Sequence, residues 1–392
     1  MKHLSFRLPL LARILIAILL GIAFGYFSPL WFARLVATFN ALFSQFLQFV
    51  VPLLIVCLIT PAIGALGRNS GRFLLLTAAI AYLDTVISGL IAFGVGAWSF
   101  PALIDPQAAV VLSENVSAEP FFTLQIPPVL GVMSALVLAF MLGLCIASLG
   151  LQRLQGAFLE LRAVIETVIA RAVIPLLPLY IFGIFLDMAS VGKAASVVSV
   201  FLGIVAIIFL LHIFVLCYEF AVAGIVTRRN PFRLLYRMLP AYFTALGTSS
   251  SAATIPVTYR CTQANGVREE TAGFTVPLCA TIHMSGSCLK ITACAVALLI
   301  MHGQPIEPWT LVGFVFLLSI MMVAAPGVPG GSIMAALGVL QSVLGFDAEM
   351  QALMIALYIA MDSFGTACNV TGDGAIALVI DRLRPQADKS EA

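Results

Sequence analysis

The sequence predicts an all-α membrane protein with eight transmembrane helices and two re-entrant helical hairpins, the second part built as inverted repeats. Three observations lead there. Of 392 residues, 61% are hydrophobic and only 10% charged, against roughly 25% charged in a soluble domain. Uncharged windows at 14–33, 35–67, 120–152, 238–259 and 308–346 each reach the roughly 20 residues that span a hydrocarbon core as helix. The charges between spans alternate in kind: Arg68 and Arg72, then Asp105, Glu114 and Glu119, then Arg153 and Arg162, then Arg228, Arg229, Arg233 and Arg237. Such a composition excludes a soluble enzyme, and the polar stretches are too short to hold a second folded unit.

Six ordinary spans come first, near 12–30, 40–66, 73–99, 128–150, 164–187 and 196–226. The first follows Lys2, Arg7 and Arg13, but its apolar run is too long for a signal peptide and no small-residue cleavage site follows, so it reads as a retained span. With the N-terminus inside, 16 of the 20 Lys and Arg are cytoplasmic, Arg34 and Lys193 are outside, and Arg171 and Lys290 lie within spans. This positive-inside bias predicts a multi-pass protein of the cell inner (plasma) membrane with both termini cytoplasmic.

Beyond 238 the pattern changes. Residues 238–259 are uncharged yet bounded on both sides by cytoplasmic-type arginines, Arg237 before and Arg260 and Arg268 after. A simple crossing would put one group on the wrong side, whereas a re-entrant hairpin at 239–262 satisfies both ends. Its tip would be GlyThrSerSerSerAlaAla at 247–253, and non-helical backbone at that depth must be buried in protein or line a cavity. Span 7 then crosses at 271–301. Residues 308–346 repeat the hairpin from the other face, with ProGlyValProGlyGlySer at 326–332 as its breaker, and span 8 at 350–380 returns to Arg382 and Arg384. Two interrupted segments in corresponding positions point to an inverted-repeat transporter with a midplane site. Residues 385–392 read as a cytoplasmic tail.

Span 8 holds Asp362, Thr366, Asn369 and Asp373 at spacings of 4, 3 and 4, which stacks them on one helix face. Each carboxylate at this depth costs about 2.5–3.5 kcal/mol on insertion scales, so a cation or amine partner is expected; bonding to a neighbouring helix is the structural alternative. An aspartyl-protease dyad is excluded, because Asp362 and Asp373 are about 16 Å apart along one helix. A serine hydrolase built from His283, Ser285 and Ser287 lacks the spatial arrangement of a triad. There is no GxxxxGK[ST] loop for ATP-driven pumping. The eight cysteines form no CxxC pair and suggest neither a disulfide framework nor zinc. The net charge of +2 is not gathered on one face and suggests no nucleic acid.

GlyThrSerSerSerAlaAlaThrIleProValThr at 247–258, GlyValProGlyGly at 327–331 and AsnValThrGlyAsp at 369–373, in that order, resemble the glutamate transporter, or dicarboxylate/amino acid:cation symporter, family. The resemblance covers the whole chain in topology and is specific in residues from about 240 to 380. It implies a homotrimer in membrane lipid, with residues 1–238 mainly scaffold and span 3 and part of span 6 joining a transport core at 239–384 that moves in elevator fashion, a small-molecule substrate, and sodium with no organic cofactor. Ser250 and Ser251 would then face a substrate carboxylate, and Val328 and Gly330 would supply hairpin backbone. Asp362 would hold a substrate amine, with Thr366 and Asn369 beside it. Asp373 with Asn369 would bind one sodium ion, and Thr281 would help form a second.

The departures shape the functional expectation. Gly365 stands where acidic-substrate members carry arginine, so the fork that grips a side-chain carboxylate is missing. His283, Met284, Ser285, Gly286 and Ser287 replace AsnMetAspGlyThr, removing an acidic cation ligand at Ser285, while Asp84 and Lys290 are added. Either Asp84 supplies the carboxylate that Ser285 no longer offers, or Asp84 and Lys290 pair and fill the deep site with a tethered cation. The pair is favoured, because an ammonium facing lipid is costly and Asp84 is the nearest candidate counter-ion. His283 reads as a hydrogen-bonded buried imidazole or a proton-coupling group. Arg171 and Glu219 read as span-end residues that snorkel or pair locally. The expected function is symport of a small neutral amino acid with sodium or protons. The alternatives are a dicarboxylate or other organic-acid symporter, or an anion-conducting channel on the same scaffold.

Overall fold

The computed structural model describes residues 10–65, 72–104, 118–190, 192, 194–325 and 330–383. Val328, most of the 326–332 breaker, Asp105, Glu114, Lys193 and the tail at 385–392 lie outside the described residues. Outside the extended connection at 118–131 and short turns, the described residues are helical: α1 (Leu10–Gly25), α2 (Leu30–Ala65), α3 (Arg72–Leu103), α4 (Val132–Leu149), α5 (Gln152–Ser190) and α6 (Ala194–Thr227), then α7 (Pro231–Thr248), α8 (Ser251–Ala264), α9 (Glu269–Ile282), α10 (Ser285–Met301), α11 (Pro308–Ala324), α12 (Gly331–Leu344), α13 (Ala348–Ala360) and α14 (Asp362–Leu383). No strand occurs among the described residues.

Six stretches are long and apolar enough to cross a membrane, and the bent pair α13–α14 makes a seventh. Helix α1, at 16 residues, is about 24 Å long, short of the hydrocarbon thickness. Helix α2 instead runs 36 residues and takes in the connection that carries Arg34. That guanidinium donates to the Glu119 carbonyl oxygen at 3.1 Å and lies over the Phe121 ring. Helix α5 starts twelve residues before the expected fifth span, and a π turn over Ile169–Val173 joins its amphipathic first part to its apolar second part.

Both hairpins form. Helices α7 and α8 meet at Ser249 and Ser250, where the Ser250 hydroxyl caps α8 through the Ala253 amide. Helices α11 and α12 form the second, and α12 begins after Gly330, whose φ of 76° lies in the left-handed region that suits glycine. Span 7 is not continuous as expected. It breaks at His283 and Met284, between α9 and α10. Span 8 bends by 61° between α13 and α14.

The core lies in the second part. Almost every side chain of α10, α12, α13 and α14 is buried, whereas α4 and α6 leave Val137, Leu144, Leu202 and Leu210 exposed. Apolar surface of that extent belongs against lipid or another subunit. Helix α3 packs along α10, and α6 packs against α14 and α7.

Candidate functional site

The stripe read from spacing sits on α14, and each end meets a different set of partners. Asp362 is the first residue of α14. One carboxylate oxygen accepts from Lys290 Nζ at 3.1 Å and the other from the Gly330 amide at 3.0 Å. Lys290 has no exposed surface, and its ammonium lies 3.6 Å from the centre of the Tyr358 ring. A Cβ on Gly365 would stand 2.7 Å from Nζ, so the glycine opens the notch that the lysine fills. The expected Asp84–Lys290 pair is therefore corrected: Lys290 turns to α14, because the stretched break before α10 sends His283, not Lys290, toward Asp84.

The hairpin tips close on this end. Ser249 Oγ and Ser363 Oγ lie 2.7 Å apart, so α8, α12 and α14 bring their N-termini together, an arrangement that favours negative charge. Ser250 is half-buried, Ser251 is buried, and the Thr366 hydroxyl donates to the Asp362 backbone carbonyl at 2.9 Å.

Lower on α14 the stripe supports the break in span 7. Asn369 Oδ1 accepts the Gly286 and Ser287 amides at 2.8 and 3.2 Å, and its Nδ2 donates to Ser287 Oγ. Thr85 Oγ1 accepts the Met284 amide, and His212 Nε2 bonds the Gly286 carbonyl. The break thus has its backbone groups satisfied by side chains of α14, α3 and α6, as burial demands. Gly286 allows this closeness, since a Cβ would come within 2.7 Å of the Gly365 carbonyl oxygen.

His283 stands between two carboxylates, with Nδ1 3.0 Å from Asp373 and Nε2 2.9 Å from Asp84. Two hydrogen bonds between three acceptor-bearing groups need two hydrogens, one more than a neutral imidazole carries. At the expected sodium position between Asn369 and Asp373, Asn369 Oδ1 accepts two amides and one Asp373 carboxylate oxygen lies against the His283 imidazole. Thr281, exposed, donates to the Leu278 carbonyl, and the hairpin carbonyls expected beside it fall within 326–329.

Glu219 was expected to sit at a span end, and the structure corrects this. It is only 4% exposed, and its carboxylate oxygen, an Asp84 oxygen and a His283 nitrogen lie within 4.8 Å of one another. A lone carboxylate in the most apolar helix of the chain was the available signal. Ser249 lies within the predicted tip at 247–253, whereas Tyr358, His212 and Ser363 carried no distinguishing pattern.

The profile of the sodium:dicarboxylate symporter family matches residues 10–383. This chain belongs to that family. The family so described is one of sodium-coupled symporters. The serine/threonine transporter SstT of Acinetobacter baumannii (strain ATCC 17978) is 28% identical over 406 residues, covering 96% of this chain and 97% of its own. Excitatory amino acid transporter 2 of Homo sapiens is 33% identical over 160 residues, and that of excitatory amino acid transporter 3 of Mus musculus 36%. These alignments cover 41% of this chain but only 28% and 30% of the excitatory transporters, so the chain spans under a third of their length. Among the described residues, the buried charged contacts of the site are the Lys290–Asp362 pair and the imidazole bridge.

Proposed function

We propose that the chain is a secondary active symporter carrying a small neutral amino acid, of serine, threonine, alanine or cysteine size, across the plasma membrane. The observation behind this reading is the buried Lys290–Asp362 pair in the Gly365 notch. The pair is neutral as a whole, so a zwitterion can enter it without stranding either charge. The substrate ammonium takes Asp362, while its carboxylate takes Lys290 and the first-turn amides of α8 and α12. A dicarboxylate would bring two negative charges to one ammonium. An acid without an amine would draw Lys290 away and leave Asp362 buried and unpaired, which is costly. The full-length likeness to a serine/threonine transporter supports the same substrate class. An anion channel has no use for an amine-binding carboxylate at this junction.

In this reading the two hairpins gate the site, and α7–α14 move with α3 and part of α6 against a trimeric scaffold. Uptake into liposomes by the purified protein, with sodium and pH gradients imposed separately, tests it. Serine, threonine and alanine should accumulate and compete with one another, whereas aspartate, succinate and lactate should not. Tight succinate or aspartate binding with serine failing to compete would establish the organic-acid reading instead.

A further inference from the structure

We propose that the cavity between the end of α6, the α8–α9 connection and the end of α14 binds a phosphate-bearing anion, either the headgroup of an acidic phospholipid or free phosphate. The cavity holds about 310 Å³, at the lower end of the roughly 300–1,000 Å³ of small-ligand sites. Arg229, Arg268 and Arg382 line it together with Asp381. Three guanidiniums against one carboxylate leave the lining two charges positive, and that excess calls for an anion.

Two of the guanidiniums are fixed by the protein itself. Arg229 donates through Nη1 to the Asn265 carbonyl oxygen at 2.6 Å. Gly266 permits this approach, because its φ of 82° suits glycine and a Cβ would stand 2.8 Å from that nitrogen. Arg268 donates through Nε and Nη2 to the carboxylate and carbonyl oxygens of Asp381, both at 2.8 Å. A guanidinium carries five N–H donors, so each keeps donors that these bonds do not use. Arg382 is exposed and forms no hydrogen bond or ion pair with another described residue. Planar forks of this kind match phosphate oxygens two at a time. The cavity also lies where spans end, at Thr227, Glu269 and Leu383, on the face that charge bias assigns to the cytoplasm. Basic pockets between helices on that side suit acidic headgroups. A phosphate here would tie the base of the first hairpin to α6 and α14.

The test is thermal unfolding of the purified full-length protein in neutral detergent at fixed pH and ionic strength, titrated with dioctanoyl phosphatidylglycerol, dioctanoyl phosphatidylcholine or potassium phosphate. Phosphatidylglycerol should raise the midpoint saturably and phosphatidylcholine should not. A saturable rise with potassium phosphate, to which phosphatidylglycerol adds nothing, would assign the cavity to the free anion. Arg229→Gln and Arg382→Gln should each weaken the apparent affinity about tenfold, the weight of one charged hydrogen bond. Arg233→Gln, on the same face but outside the cavity, should leave it unchanged. Arg382→Gln removes no bond within the described residues, so it carries the comparison if Arg229→Gln does not fold. The absence of a saturable rise with either anion would overturn the proposal. An equal loss in Arg233→Gln would overturn it too, since the attraction would then belong to the basic face as a whole.

Discussion

An ammonium with no exposed surface has to be matched, and Lys290 is matched by the Asp362 carboxylate and the Tyr358 ring face. Removing one partner of such a pair strands the other, at a cost of about 3–5 kcal/mol, whereas removing both is far milder. Lys290→Met and Asp362→Asn should therefore each lower the unfolding midpoint, and the double variant should recover most of the loss. Additive losses in the double variant would mean that the two charges do not support one another. Gly365→Ala is milder, because the atom its Cβ meets is the end of a flexible side chain. The protein should fold, while Lys290 is pushed off Asp362. Serine affinity should drop by about tenfold, the weight of one charged hydrogen bond of about 1.5 kcal/mol, measured by competition for uptake. The lysine could be read from the sequence as an improbable charge needing a partner. Which carboxylate it meets depends on the rotation of α10 against α14, and a local pattern does not contain that.

At the scale of elements, the broken span 7 is held open by α14. Asn369→Ala would leave the Gly286 and Ser287 amides without their acceptor, each orphan costing about 1–3 kcal/mol. A fall in midpoint together with faster amide exchange confined to 283–289 is the expected outcome; exchange unchanged there would show that the break is satisfied otherwise. Gly286→Ala should be worse for transport, since its Cβ would meet the Cys368 Cβ and the Gly365 carbonyl, and backbone cannot yield as a side chain does. The hairpins were legible because GlyThrSerSerSer and ProGlyGlySer interrupt apolar runs whose flanking charges have the same sign. The breaks at 283–284 and 361 were not. No glycine or proline stands at either break, and the first is held by side chains from α14, α3 and α6.

For the whole molecule, the exposed leucines and valines of α4 and α6 need a cover of lipid or of neighbouring protomers. A native mass of about three times the 41.7 kDa chain, measured in detergent, is the expected assembly, and a single-chain mass would remove the trimeric scaffold from the proposed cycle. Composition and charge spacing by themselves determined that this chain is a helical membrane protein, that two of its segments fold as helical hairpins, and that Asp362, Thr366, Asn369 and Asp373 share one helix face. These properties follow from the backbone's need to satisfy its polar groups in lipid and from the 3.6-residue turn, both of which act locally along the chain. Only the tertiary structure decided that Lys290 meets Asp362, that His283 bridges Asp84 and Asp373, and that Glu219 turns inward to join them. In α10 and α14 nearly every face is covered, so periodicity no longer separates inside from outside, and the matching of charges is settled by how the helices are rotated and packed.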